Sequence, residues 1–307
     1  MKSRVFYKGI LTHCYQRTIT GGVLFYSVSD YLVFFTEYCV LARKYNIHVL
    51  ALCQMPDHVH DSIFTDKKKD LGAFKCELNK RFSRAWNQNA GIKGPVFEGP
   101  YGSAPKIGDK KARTNIIYVY DNPVERRIVE KAEKYRWNYL AYCFSDHPFS
   151  EKLIIRYSSP NMKRAVKEVK SRFIVGKPVS YPMLHRLFMT LNASEKQQLV
   201  DYVITTYNVV DYECAARYFG GRDNMLTAIH SSTGSEYDLN EIFVGKTDKC
   251  YYRMTDILLK EMKLNDIHEI LSMTNEEKSE LFFFLMRKID AKPEQIGKYL
   301  HMDVIHK

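Results

Sequence analysis

Apolar and polar positions along this chain predict two kinds of structure in succession. Residues 6–17 are rich in β-formers and end before a Gly21-Gly22 turn. Behind Ser29, a candidate N-cap, residues 30–45 place Leu32, Phe35, Tyr38, Leu41 and Ala42 at the spacing of one helical face. Residues 47–53 form an apolar run with strand character. Met55-Pro56-Asp57 joins that run to a second one ending near Phe64, so the two are expected as hairpin neighbours. Leu71, Phe74, Leu78, Phe82 and Ala85 predict an amphipathic helix over 71–88, and a fourth strand is expected over 96–103. Strand, helix, strand, strand, helix, strand is the order of a ferredoxin-like antiparallel sheet, so the expected class is α+β.

Beyond the fourth strand the pattern turns helical. Residues 115–127 and 129–135 read as helices on either side of Pro123, 137–144 is aromatic and compact, and 148–160 is a candidate boundary. Helices are then expected over 162–173, 180–191, 194–207, 211–219 and 222–230, followed by a second group over 252–262, 275–289 and 293–300. The expected organisation is one unit over 1–147, a helical unit over 160–245 and a second helical unit over 250–307.

Composition narrows the setting. A chain of 307 residues, 45% hydrophobic, has material for packed cores and is long enough for more than one domain. Its 46 Lys and Arg against 35 Asp and Glu give a net charge of +11, which favours polyanionic partners. The seven cysteines are odd in number and include no C-x-x-C pair, so they read as reduced thiols. The amino terminus has no long apolar core, and no uncharged apolar run of about 18 residues occurs, so a cytoplasmic protein without membrane insertion is expected.

Candidate chemistry begins at His58-Val59-His60. Residues i and i+2 of a strand share a face, so two imidazoles can stand side by side on a rigid element, as metal ligands do. By itself the pair is ambiguous, because ten histidines produce a His-x-His by chance roughly a third of the time. The other reading is two half-exposed strand histidines. Tyr118 and Asn122 are four apart, which on a helix puts a phenol and a carboxamide on one face. Asn122-Pro123-Val124-Glu125 also fits an N-cap followed by proline at N1 and glutamate at N3, so metal ligation and capping are both open for Asn122.

The segment Ala51-Leu52-Cys53-Gln54-Met55-Pro56-Asp57-His58-Val59-His60 resembles the signature of HUH single-tyrosine transposases, more narrowly those of REP-associated and related insertion-sequence type. Gly94-Pro95-Val96-Phe97-Glu98-Gly99-Pro100-Tyr101 and Tyr118-Val119-Tyr120-Asp121-Asn122-Pro123-Val124 extend the resemblance over about the first 140 residues. It implies Tyr118 as nucleophile, with Tyr120 as the rival, and His58, His60 and Asn122 as ligands of Mg²⁺ or Mn²⁺. It further implies single-stranded or hairpin DNA as substrate, a 5′-phosphotyrosine intermediate, strand transfer and a homodimer. Two positions depart from the family: Tyr120 replaces a common histidine, and Asp61 stands where an aliphatic residue is usual. Asp61 is expected on the strand face opposite the histidines.

Lys67, Lys68 and Lys69, and Lys106 with Lys110, Lys111 and Arg113, flank these motifs and are candidate phosphate contacts, though such clusters are usually solvated loops. Trp86, Trp137 and Tyr101 are candidates for base stacking, with core packing the stronger reading for Trp137. Residues 211–219, Gly220-Gly221 and 222–230 form a candidate helix-turn-helix, and Tyr218-Phe219-Gly220-Gly221-Arg222-Asp223 resembles the DNA-binding domain of bacterial replication initiators, which makes Arg222 a candidate DNA contact. Residues 293–300 could open a second such motif, with only Asp303-Val304-Ile305-His306-Lys307 left for its recognition helix. The competing functions are a DNA-binding protein that does not cut, and an HUH replication initiator or relaxase.

Overall fold

A computed structural model of the chain describes residues 4–234, 237 and 244–302. The strands are β1 (Thr12–Arg17), β2 (His48–Gln54), β3 (His58–Phe64) and β4 (Gly102–Pro105). Helix α1 (Val28–Lys44) lies between β1 and β2, and α2 (Lys68–Ala90) between β3 and β4. The sheet is antiparallel throughout with order β2-β3-β1-β4. Both the expected connectivity and the α+β class hold.

The differences lie at the element ends and have local causes. β1 begins at Thr12 rather than Phe6, after Gly9 takes φ +68°. The cap of α1 is Ser27, not Ser29: Ser27 Oγ accepts from Asp30 N, and the Asp30 carboxylate accepts from Ser27 N in return. The strand expected over 96–103 is displaced to Gly102–Pro105, because Gly99, at φ +58°, and Pro100 interrupt the run; Phe97 makes only an isolated bridge to Thr18. Gly102 faces Tyr15 across the ladder, where the Tyr15 ring fills the place a Cβ would take.

One face of the sheet carries α1 and α2; the other carries α3 (Asp109–Glu125), which packs against β2 and β3. α3 runs through Pro123 without breaking, and ends two residues later where Arg127 takes φ +52°. A proline near the end of a helix forfeits one hydrogen bond without cutting off a long segment. The helix expected over 129–135 is absent, leaving a single 3₁₀ turn at Ala132–Lys134.

The remaining helices are α4 (Pro160–Ile174), α5 (Tyr181–Met189), α6 (Ala193–Tyr207), α7 (Tyr212–Arg217), α8 (Arg222–His230), α9 (Lys249–Glu261), α10 (Glu269–Ser272), α11 (Asn275–Lys288) and α12 (Pro293–Leu300). α5 and α6 pack on α1, which explains why α1 is apolar nearly all round: it is covered by the sheet and α2 on one side and by these helices on the other. Val210 bridges Val49 in parallel and Asp211 N donates to Val49 O at 2.8 Å, which covers the outer edge of β2. The second helical group reaches the segment before α1, where Tyr26 Oη donates to Tyr299 O at 2.6 Å. The recognition helix considered for residues 303–307 lies outside the described residues.

A buried charge network ties α5 and the approach to α10 onto the start of α1. His268 Nε2 donates to Asp30 Oδ1 at 2.9 Å, His268 Nδ1 to Asp266 Oδ1 at 2.5 Å, and Tyr181 Oη to Asp30 Oδ1 at 2.7 Å. Burial alone would lower the His268 pKa, but Asp30 and then Asp266 outweigh it and push it up to about 10. A folded-state pKa above the unfolded value of about 6.5 gives stability that is complete below that pH and lost as pH rises toward 10. Urea unfolding at pH 6 and pH 9.5 should show a loss of a few kcal/mol in the wild type, because each tenfold difference in proton affinity between folded and unfolded chain is worth about 1.4 kcal/mol. In His268→Gln that pH-dependent part should disappear; an unchanged slope would remove His268 as its source.

Candidate active site

His58 and His60 project from β3 onto the face that carries α3, with ring centroids 4.7 Å apart. The β1–β3 register sets Tyr15 opposite His60 and His13 opposite Ser62, so His13 joins the same face; its ring lies 5.1 Å from that of His60. From the other side α3 presents Asn115, Tyr118 and Asn122, spaced three and four apart and therefore on one stripe. The Tyr118 ring meets His60 edge-on at 5.3 Å and His13 at 5.6 Å. Asn122 lies in the last turn of α3, where its carbonyl accepts from Arg126 N at 3.0 Å, so it is not an N-cap. Its buried Oδ1 has no hydrogen-bond partner among the described residues.

Tyr120 points elsewhere, as residues two apart on a helix do: it is fully buried and donates to Leu50 O at 2.9 Å. Its phenol is pushed well above the ordinary range by burial and then by neighbouring Tyr212.

A neighbouring carboxylate orients the first imidazole. Asp57 Oδ1 lies 2.5 Å from His58 Nδ1, a carboxylate–imidazole contact that fixes the orientation of the ring. Burial would raise the Asp57 carboxyl, but His58, Lys298 and Arg126 together hold it below the usual carboxylate range. Lys298 Nζ comes from α12, 3.5 Å from Asp57 Oδ2. Two imidazoles and an amide oxygen would leave positions open for water and a phosphate oxygen. Among the described residues no three His, Cys, Asp or Glu side chains are grouped to hold a metal.

The site is covered. Tyr118 is 3% exposed, His58 4%, His60 1% and Asn122 1%. The Tyr237 ring packs edge-on against Tyr118 at 5.1 Å, and its hydroxyl donates to Asp121 Oδ2 at 3.2 Å.

The other candidates are dispersed. Lys67, Lys68 and Lys69 follow the end of β3, and Lys110 and Lys111 follow the end of β4; all five are exposed. The register puts both clusters at the sheet end opposite His58, about 20 Å along β3 at 3.3 Å per residue. Lys106 is buried, and Arg113 donates to Tyr218 O at 3.5 Å. Arg222 pairs with Glu213 and donates to Cys143 O at 2.9 Å, so its guanidinium is engaged within the fold. The short α7 packs on β2 and α8 on α3, with Met225 and Ile229 of α8 buried. Trp86 and Trp137 are core residues: Trp86 Nε1 donates to Leu24 O at 3.0 Å, and Trp137 stacks on Tyr31 at 4.2 Å. Tyr101 is also buried, with Arg4 4.2 Å over its ring. His13, Asn115 and Lys298 were absent from the sequence-based set. A histidine among β-formers in the first strand is the only signal for any of them, and it is weak.

Compared with known proteins, the sequence matches no protein family and no curated protein. Among solved structures it is similar to a REP-associated tyrosine transposase bound to a REP hairpin, at 17% identity and a TM-score of 0.39, over 45% of this chain and 80% of that one. No helix of the described residues is long and apolar enough to cross a membrane.

Proposed function

We propose that this chain is a DNA-nicking and strand-transfer enzyme of the HUH single-tyrosine kind, acting on single-stranded or hairpin DNA, with residues 1–147 as its catalytic unit. The supporting observation is the meeting of two elements: β3 brings His58 and His60 to the one stripe of α3 that carries both Tyr118 and Asn122. In the reaction the Tyr118 oxygen forms a bond to phosphorus while the bond to the 3′ oxygen breaks. The phenol gives up its proton, the leaving oxygen gains one, and the products are a 5′-phosphotyrosine and a free 3′-hydroxyl. Attack by another 3′-hydroxyl reverses these bonds and joins two ends.

A phenol with an ordinary pKa near 10 needs help in losing its proton, and the phosphoryl oxygens need a counter-charge. Mg²⁺ or Mn²⁺ held by His58, His60 and Asn122 would supply that charge. Asp57 orients His58, and the packing of α3 on the sheet fixes how far Tyr118 stands from His60.

A second reading, a DNA-binding protein that does not cut, is favoured by the burial of all four site residues. One experiment separates the two. The full chain is incubated with a stem-loop oligonucleotide and Mn²⁺ and examined on a denaturing gel for a protein–DNA adduct. The enzyme reading predicts an adduct that is lost in His58→Ala and on chelation. Binding without any adduct would overturn it in favour of the second reading.

A further inference from the structure

Beside His60 runs a line of buried polar groups along the interface between the sheet and α3. His60 Nδ1 lies 3.2 Å from His13 Nε2, His13 Nδ1 lies 2.9 Å from Asn115 Nδ2, and Asn115 Oδ1 accepts from Ser62 Oγ at 2.7 Å. All four residues are at most 3% exposed, so these contacts are shielded from water. Each link constrains the next, because a neutral imidazole donates from one nitrogen and accepts at the other. With the Asn115 amide nitrogen toward His13, His13 donates to His60 Nδ1 and the His60 proton is confined to Nε2, where it blocks ligation. With the amide turned end for end, its oxygen accepts from His13 Nδ1, His13 Nε2 accepts from His60 Nδ1, and the lone pair of His60 is left on Nε2. Both polarities keep Ser62 satisfied, since a hydroxyl donates or accepts.

We infer that His13 and Asn115 are positioning residues that set the tautomer of His60, and that the Asn115 amide orientation decides whether His60 can bind a metal. This deepens the proposed function and rests on it for the role of His60; the tautomer itself does not depend on that role. The two imidazoles are oriented by different means: His58 by the adjacent carboxylate of Asp57, His60 by a relay through His13 and Asn115 whose two polarities differ in the turn of the Asn115 amide and in where the protons sit. A carboxylate holds one polarity, whereas an amide permits two. His13 reaches His60 from a neighbouring strand and Asn115 reaches His13 from the opposite layer, so the relay also fixes where α3, and with it Tyr118, sits over the sheet.

The test uses ¹⁵N-labelled full-length protein without metal, with imidazole tautomers read from two-bond ¹⁵N–¹H correlations and Mn²⁺ affinity from calorimetry. Asn115→Asp can only accept, so it should lock the His60 proton on Nδ1 and bind Mn²⁺ at least as tightly as the wild type. Asn115→Leu and His13→Ala should return His60 to the tautomer mixture of a free imidazole and weaken Mn²⁺ binding about 10–100-fold. Asn115→Asp is nearly isosteric, so its spectrum decides the matter even if the other two variants fail to fold. An Asn115→Asp protein whose His60 carries its proton on Nε2 would overturn the inference, as would folded His13→Ala with the wild-type tautomer and affinity. If no variant and no wild-type sample binds Mn²⁺, the metal reading of the site fails while the tautomer result still stands or falls by its own spectrum.

Discussion

Tyr118→Phe is expected to reduce formation of the DNA-linked protein by at least about a thousandfold, the scale on which removal of a nucleophile acts. Fold and DNA affinity should be nearly unchanged. The substitution removes one oxygen from a side chain packed edge-on between His60, His13 and Tyr237, and the ring that makes those contacts stays. A stability change of about 1 kcal/mol is the scale for one hydroxyl. Tyr120→Phe is the control with the opposite profile. It removes the bond to Leu50 O and so costs stability of that same order, but its hydroxyl faces the core, so adduct should form at the wild-type rate. The measurement is a denaturing gel with a labelled stem-loop oligonucleotide and Mn²⁺, with mass spectrometry on any adduct peptide. Adduct persisting in Tyr118→Phe, mapped to another of the tyrosines, would remove Tyr118 from the mechanism.

What could be read from the sequence followed physical range. Periodicity reports which face of an element is buried, so both helices of the sheet unit and most of the helices after 160 were visible, with ends displaced by a few residues. Where a short-range signal competed with tertiary packing, packing won. Asn122-Pro123 carries the local chemistry of a helix start, yet α3 is held through it by its contacts with β2 and β3. The strand pair gave His58 and His60 a common face, which is local information. His13 belongs beside them only because β1 pairs with β3, and Lys298 meets Asp57 only because the end of the chain returns to its beginning. Burial was equally illegible: a basic cluster reads the same whether its lysines are solvated, like Lys67 to Lys69, or buried, like Lys106.

Lys75→Met should cost about 3–5 kcal/mol, a large part of the 5–15 kcal/mol that holds a typical domain together. Asp61 stands on the strand face opposite the histidines, where it is fully buried and accepts from Lys75 Nζ of α2. Around the pair lie Cys14, its cross-strand partner, and the Tyr38 ring, 5.7 Å from Lys75 Nζ. Burial pushes the Cys14 thiol up, and it pushes the Tyr38 phenol up with help from Asp61, so neither supplies a compensating charge. Burial would lower the Lys75 pKa, but Asp61 more than offsets it and leaves the ammonium charged. Without that ammonium, Asp61 must either remain an uncompensated buried anion or take up a proton.

The second course gives the loss a pH signature. In Lys75→Met the folded state would hold a proton on Asp61 that the unfolded chain releases above about pH 3.9. The folded state then binds more protons, so the variant loses stability as pH rises above that value and its deficit shrinks toward pH 4. Urea midpoints of variant and wild type at pH 4 and pH 7 measure this directly. Lys75→Met combined with Asp61→Leu removes both charges and should return to within about 1 kcal/mol of the wild type or exceed it, as replacement of buried ion pairs by apolar groups often does. A double variant as unstable as the single one would show that the cost lies in the packing of α2 against the sheet. A deficit equal at both pH values would show that Asp61 does not stay buried when its partner is gone. The expected pattern of pH-dependent loss and rescue explains how an aspartate can occupy the centre of an otherwise apolar strand face: the charge is tolerated only because α2 delivers a lysine to it.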